Sequence, residues 1–164
     1  MEPQHRLGFF TLKNKGIKMA NAFDVAKYIL EQNDEMTVMK LQKLVYYSQA
    51  WHLVWNENIL FDNDIQAWAN GPVTVELYSF HKGMFKISQE SLTQGDRTNL
   101  TSIERESIDQ VLSYYGDKSA QWLSDLTHME DPWKKARERG CVADGQICQE
   151  VVLPSDMHEY YSGL

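Results

Sequence analysis

From Asn21 onward the chain alternates amphipathic stretches with short polar breaks. Asn21 is a cap candidate for a segment in which Phe23, Ala26, Lys27 and Leu30 recur at helical spacing, and Asn33-Asp34 ends it. Thr37 opens a second run over 38–55 that contains no Gly or Pro. Within it Leu41, Leu44, Val45, Ser48, His52 and Trp55 fall on one stripe, while Tyr47, Trp51 and Val54 lie on another face. A helix that is apolar on most sides belongs at the centre of a fold, so residues 37–56 are the expected spine. Asn56-Glu57-Asn58 breaks it, and the alternation of Ile65, Gln66 and Ala67 within 59–68 predicts a short strand.

Asn70-Gly71-Pro72 is the next break. Pro72 suits the first turn of a helix, which Val73, Leu77, Tyr78 and His81 then continue to about Gly83. Residues 86–100 are polar, with a turn at Gln94-Gly95-Asp96, and predict a long loop or small hairpin. Thr101 and Glu104 have capping-box spacing ahead of the stripe Ile108, Val111, Leu112 and Tyr115, which Gly116 stops. Ser119 opens a helix through Trp122, Leu123 and Leu126, and Asp131-Pro132 begins another over 133–139 that Gly140 ends. A strand near 149–153 and a last helix from Pro154 through Tyr160-Tyr161 complete the chain. The expected fold is therefore mainly α, a compact helical domain around the helix at 37–56, with a small β component.

Composition narrows the function. With 164 residues, 43% of them hydrophobic, the chain is long enough for one well-buried core. The net charge of −7 is an average over two unlike parts. Residues 1–18 carry Arg6, Lys13, Lys15 and Lys18 against Glu2, or +3, and the remainder is −10. Met19 followed by Ala20-Asn21-Ala22-Phe23-Asp24 reads like a natural start. Residues 1–18 are thus expected to be a basic extension outside the native chain, with a genuine basic arm as the alternative, and 19–164 a single domain. An acidic domain is a poor general nucleic-acid binder and has no attraction to anionic membranes. No apolar stretch approaches the ~20 residues needed to cross a bilayer. Cys141 and Cys148 make no disulfide framework, and a reduced cytoplasmic protein is expected.

Candidate chemistry is sparse. No phosphate-binding glycine loop, zinc-protease motif or nucleophile elbow occurs. No catalytic residue, metal or cofactor is expected. Ser48 and His52, one helical turn apart, could pair as nucleophile and base, but a buried hydrogen-bonded histidine is the simpler reading. Asp62 and Asp64 lack the further oxygen ligands of a calcium loop. Lys134, Lys135, Arg137 and Arg139 crowd one short helix, either to dock an acidic partner or phosphate, or to complement the helix dipole. The tryptophans at 51, 55, 68, 122 and 133 are expected mostly in the core.

The stretch Lys40-Leu41-Gln42-Lys43-Leu44-Val45-Tyr46-Tyr47-Ser48-Gln49-Ala50-Trp51-His52 resembles the signature helix of the Panacea domain, found in SocA-like antitoxins and GepA-type phage-associated proteins. The resemblance continues through Leu60-Phe61-Asp62, Ile65-Gln66-Ala67-Trp68, Gly71-Pro72-Val73 and Leu77-Tyr78, then Leu126-Thr127-His128 through Glu130, Pro132-Trp133 and Ala136-Arg137. It implies a bacterial antitoxin encoded beside a toxin that it neutralises by direct contact, and in one branch an adaptor that delivers the toxin to a protease. Leu41, Leu44, Tyr47, Trp51, His52, Gly71, Pro72, His128, Pro132 and Trp133 would then build the scaffold. Partner contact is expected at exposed residues beside the motifs: Lys40 and Lys43, Trp68 with Asn70, Tyr78 with His81, and the basic residues Lys134, Lys135 and Arg137. The alternatives are a phage-encoded regulator of a host protein and, behind it, a hydrolase using Ser48 and His52.

Overall fold

A computed structural model describes residues 19–164. The extension at 1–18 lies outside the described residues. Among these, seven α-helices surround one another with two small antiparallel ribbons. Helix α1 (Ala22–Asn33) is opened by a complete capping box in which Asn21 and Asp24 satisfy each other's backbone N–H. A two-residue strand β1 (Met36–Thr37) follows, and the Thr37 side chain caps α2 (Val38–Asn56) by accepting from the Lys40 N–H. Strands β2 (Ile65–Trp68) and β3 (Gly71–Thr74) form a hairpin that leads into α3 (Val75–His81). Strand β4 (Lys86–Ile87) returns to pair with β1, Met36 opposite Ile87. Helices α4 (Ser102–Tyr115), α5 (Ala120–Met129), α6 (Asp131–Arg139) and α7 (Pro154–Ser162) complete the chain.

The fold is mainly α around a central helix. Helix α2 packs against α1, α4, α5, α7 and β3, and every residue from 41 to 50 is buried. Gln42, Lys43, Ser48 and Gln49 go inside with the apolar residues because each finds a backbone partner. The Gln49 amide accepts from the Leu60 N–H (2.7 Å) and donates to the Phe61 carbonyl (2.6 Å). Gln42 does the same for Thr74, accepting from its N–H (2.8 Å) and donating to its carbonyl (3.1 Å). Two glutamines seven residues apart thus clip two later segments of chain to the spine. Buried polar groups with such partners are stable where unpaired ones are not.

The start of the third helix differs from expectation. Gly71-Pro72-Val73-Thr74 is a strand, and the helix begins only at Val75. Pro72 is tolerated there because it sits opposite Ala67, whose N–H and carbonyl both point away, to Glu150 and Arg137. The missing proline N–H therefore leaves no ladder bond broken. The strand expected at 149–153 is reduced to a single bridge between Val151 and Gln66, flanked by the Ala67 N–H to Glu150 bond and the Val152 N–H to Ile65 bond.

The tryptophans also depart from expectation. Only Trp133 is buried; Trp51 and Trp68 are half-buried, and Trp55 and Trp122 are exposed. Tyrosines fill the centre instead. Tyr46, Tyr47 and Tyr161 pack edge to face, and Tyr47 stacks on Tyr115. The hydroxyls of Tyr47 (2.7 Å) and Tyr161 (2.8 Å) both donate to Glu130, whose carboxyl is pushed above the usual range by burial.

Candidate functional site

The hairpin, α3 and the first two turns of α2 enclose a cavity of about 510 Å³. One wall is aromatic. Trp68, at the end of β2, meets Tyr78 of α3 edge to face at 4.7 Å, and Tyr78 meets His81 at 5.4 Å. The Trp68 indole is held by its donation to Gln66 (2.8 Å), and its carbonyl accepts from the Trp133 indole (2.8 Å). The turn residue Asn70 is fixed through its carbonyl by Ser124 (2.6 Å). Val38 and Met39 of α2, Val73 of β3, and Ile147 and Cys148 of the segment after α6 supply the apolar remainder.

The polar floor comes from adjacent residues of α2. Gln42 fixes the state of His81: because its oxygen already accepts from Thr74, its nitrogen must be the donor to His81 Nε2 at 3.0 Å. A ring nitrogen that accepts carries no proton, so His81 is neutral with its proton on Nδ1. Burial, followed by the nearby charge of Lys43, holds its pKa below the ordinary histidine value. Lys43 is 1% exposed, and desolvation lowers its ammonium to about 8. Its Nζ donates to the Pro72 carbonyl at 3.2 Å, and it forms no ion pair with an acid among the described residues. Gly71 makes room for it: a Cβ there would stand 2.6 Å from Lys43 Cε and 2.8 Å from Thr127 Oγ1. His128, stacked on Trp133 at 4.3 Å, is held below its ordinary pKa by burial and then by Lys43.

The structure thus gathers Lys43, Trp68, Asn70, Tyr78 and His81 at one place. Two of them, Lys43 and His81, were expected on the surface and are buried. The reason is the same for both: β3 and α3 close over that face of α2, and Gln42 and the Pro72 carbonyl offer hydrogen bonds that compensate part of the desolvation. Arg137, also expected to be exposed, is buried as well. Its guanidinium donates to the carbonyls of Ala67 (2.8 Å), Ala143 (2.9 Å) and Gln146 (2.7 Å) and lies over the Trp133 ring, so it ties the segment after α6 to the hairpin. Lys134 is exposed and Lys135 half-exposed on the outer face of α6, while Arg139 pairs with Asp156 at 3.0 Å. Lys40 lies apart, donating to the Gly116 carbonyl at the end of α4 (2.6 Å). Gln42 is the site residue that sequence reasoning passed over. It stands inside the signature stretch, and its signal was a neutral polar side chain on a helix apolar all round.

The Ser48–His52 pair does not assemble as a nucleophile and base. Ser48 donates back to the Leu44 carbonyl at 2.8 Å, as mid-helix serines do, and His52 Nδ1 faces Ser107 of α4 at 2.8 Å and Asn56 at 3.2 Å. Both side chains are interior. At the far end of α2 a second depression of about 500 Å³ gathers Trp51, Trp55, Tyr114 and Leu164. Trp55, Tyr114 and Leu164 are all well exposed there.

No helix among the described residues is long and apolar enough to cross a membrane. A family model described as the SocA-like antitoxin, Panacea domain, matches residues 41–134, which include most of the central helix and the cavity residues from Gln42 to His81, while Val38, Met39, Ile147, Cys148 and Gln149 of the cavity lie outside the match. No curated protein and no solved structure matches the chain at a significant level.

Proposed function

The chain belongs to the SocA-like antitoxin family, Panacea domain, and from that premise we propose that it neutralises a cognate toxin by direct protein–protein contact through the face around Trp68 and Tyr78. The observation that carries the reading is the cavity itself. It presents two partly open aromatic rings, with exposed Met39 and Ile147 at its margin, on scaffolding fixed by backbone hydrogen bonds. Partly buried Trp and Tyr in a pre-formed depression are the usual anchors of a protein interface. The exposed lysines of α6 are a second contact, and the −10 domain would speed encounter with a basic toxin. The depression at Trp55 and Tyr114 lies about 24 Å along α2 from Met39, at the opposite end of the helix. It leaves a face for a second partner, such as a bacterial protease receiving the bound toxin.

Co-expression with the product of the neighbouring gene tests this reading. The neighbour alone arrests growth, co-expression restores it, and the two proteins co-purify. A toxic neighbour that is neither rescued nor bound would defeat it. Charge reversal of Lys134 and Lys135 to Glu is expected to weaken the complex several-fold through lost local contacts of α6, and an unchanged affinity would remove α6 from the interface.

A further inference from the structure

Two of the five tryptophans carry one of the protein's own cations over the ring. Lys118 stands 5.2 Å from the Trp122 centroid, and Arg137 stands 5.0 Å from that of Trp133. Trp55, near the end of α2, is 47% exposed and has no lysine or arginine over its ring among the described residues. It stacks on Trp51 at 5.5 Å, and Trp51 is itself fixed by donation to the Tyr115 hydroxyl (3.0 Å). Trp55 also lines a depression of about 380 Å³, with Ile103, Glu106, Ser107 and Gln110 of α4 across from it. Ile103 is well exposed, and Glu106 is exposed and forms no ion pair among the described residues. The deeper polar groups are already spent, because the Asn56 amide donates to the Ser107 hydroxyl (3.0 Å) and to His52 Nδ1 (3.2 Å). The flanking charges are engaged as well: Asp109 accepts from Tyr28 (2.8 Å), Arg105 donates to the Leu100 carbonyl (2.6 Å), and Glu57 pairs with His158 (2.8 Å). Trp55 and Gln110 continue into the neighbouring depression with Tyr114 and Leu164, and no lysine or arginine lines either one. The groove therefore joins open aromatic faces to one free carboxylate, and both are open to solvent.

We propose that this groove receives a basic side chain, arginine or lysine, presented by an apolar segment of a partner protein. The cation lies over Trp55 with Glu106 as its counter-ion, and an apolar neighbour in the same segment packs against Tyr114 and Leu164. A cation over an indole face is attracted by the ring quadrupole, and a carboxylate beside it adds a charge-assisted hydrogen bond. An acidic ligand would meet the like charge of Glu106. A purely apolar one would expel water from that carboxylate and give it no partner in return. The −10 charge of the domain favours the approach of a basic segment. The proposal gives the second face a ligand chemistry, and it rests on the antitoxin reading only for the identity of the partner.

A peptide series on the full labelled chain tests it. Acetyl-Leu-Arg-Leu-amide is titrated while the Ile103 methyl and Gln110 side-chain amide resonances are followed, beside the same peptide with citrulline or glutamate in place of arginine. Citrulline keeps the shape of arginine and removes the charge. The arginine peptide is expected to give a saturable shift with an affinity at least fivefold above that of the citrulline peptide, and the glutamate peptide to give none. Glu106→Gln should bring the arginine peptide down to the citrulline level, and Trp55→Ala should weaken both, with circular dichroism and melting curves confirming that the variants fold. Equal affinity for arginine and citrulline, no shift with arginine, or an arginine affinity untouched by either substitution overturns the proposal. The purified neighbouring toxin is expected to bind both variants as it binds the wild type. A toxin affinity lowered by Trp55→Ala would assign the groove to the toxin and overturn its place as a second face. If the wild type binds no toxin, the antitoxin reading fails by itself, and the peptide series still decides what the groove receives.

Discussion

Lys43 is the buried charge that ties stability to pH. Its folded pKa of about 8 lies below the unfolded value of 10.5, so between those two values the unfolded chain holds a proton that the folded chain has released. Stability contributed at this site is therefore lowest below pH 8 and recovers as pH rises toward 10.5. The displacement corresponds to roughly 3 kcal/mol, from which about 1 kcal/mol is subtracted for the Pro72 carbonyl that loses its donor. Lys43→Met is expected to stabilise the protein by about 2 kcal/mol at pH 7 and by much less at pH 10, as read by urea unfolding. A destabilised variant at pH 7 would mean that the charge is compensated in the fold. Gly71 is the steric counterpart. At φ +115°, with Lys43 Cε and Thr127 Oγ1 in the space a Cβ would take, Gly71→Ala should cost about 2–3 kcal/mol in the same measurement.

At the scale of elements, the cavity wall depends on a long tie. Arg137 holds the backbone at 143 and 146 against β2, and Cys148, two residues further on, lines the cavity. Lysine cannot reach three carbonyls with a fork geometry. Arg137→Lys should lower stability by about 2 kcal/mol and speed amide exchange across 141–149 more than in α2. Uniform acceleration throughout the domain would show that the tie is not local.

Much of this level is legible in the sequence, because local signals mark most helices. Asn21 with Asp24, Thr101 with Glu104, Thr37 and Ser119 set four starts, and Gly116 and Gly140 set two ends. The hairpin was not legible in this way. Pro72 carries a strong local preference for a helix start, and its pairing with Ala67 is decided by Glu150 and Arg137, more than sixty residues away. The burial of Lys43 is hidden for the same reason. A charged residue in a helix reads as surface until the strand that covers it is known. The sequence placed Trp68, Asn70, Tyr78 and His81 near one another only as motif neighbours; the cavity between them comes from α2.

For the whole molecule, the arrangement is a helical scaffold with half-buried Trp68 and Tyr78 beside the start of α2 and exposed Trp55 and Tyr114 at its end. The tyrosine cluster around Glu130 binds α2, α4, α6 and α7 into a single core, which allows an open depression at Trp68 without collapse. The family assignment supports an antitoxin-like role, and the proposed reading seats its partner on the face around Trp68 and Tyr78. Calorimetric titration of the purified neighbouring toxin into the wild type and into a Trp68→Ala, Tyr78→Ala double variant tests that claim most directly. The account predicts tight one-site binding to the wild type and an affinity lower by about a hundredfold in the variant, with the fold retained. Binding of equal strength to both proteins, or none to the wild type, would contradict it.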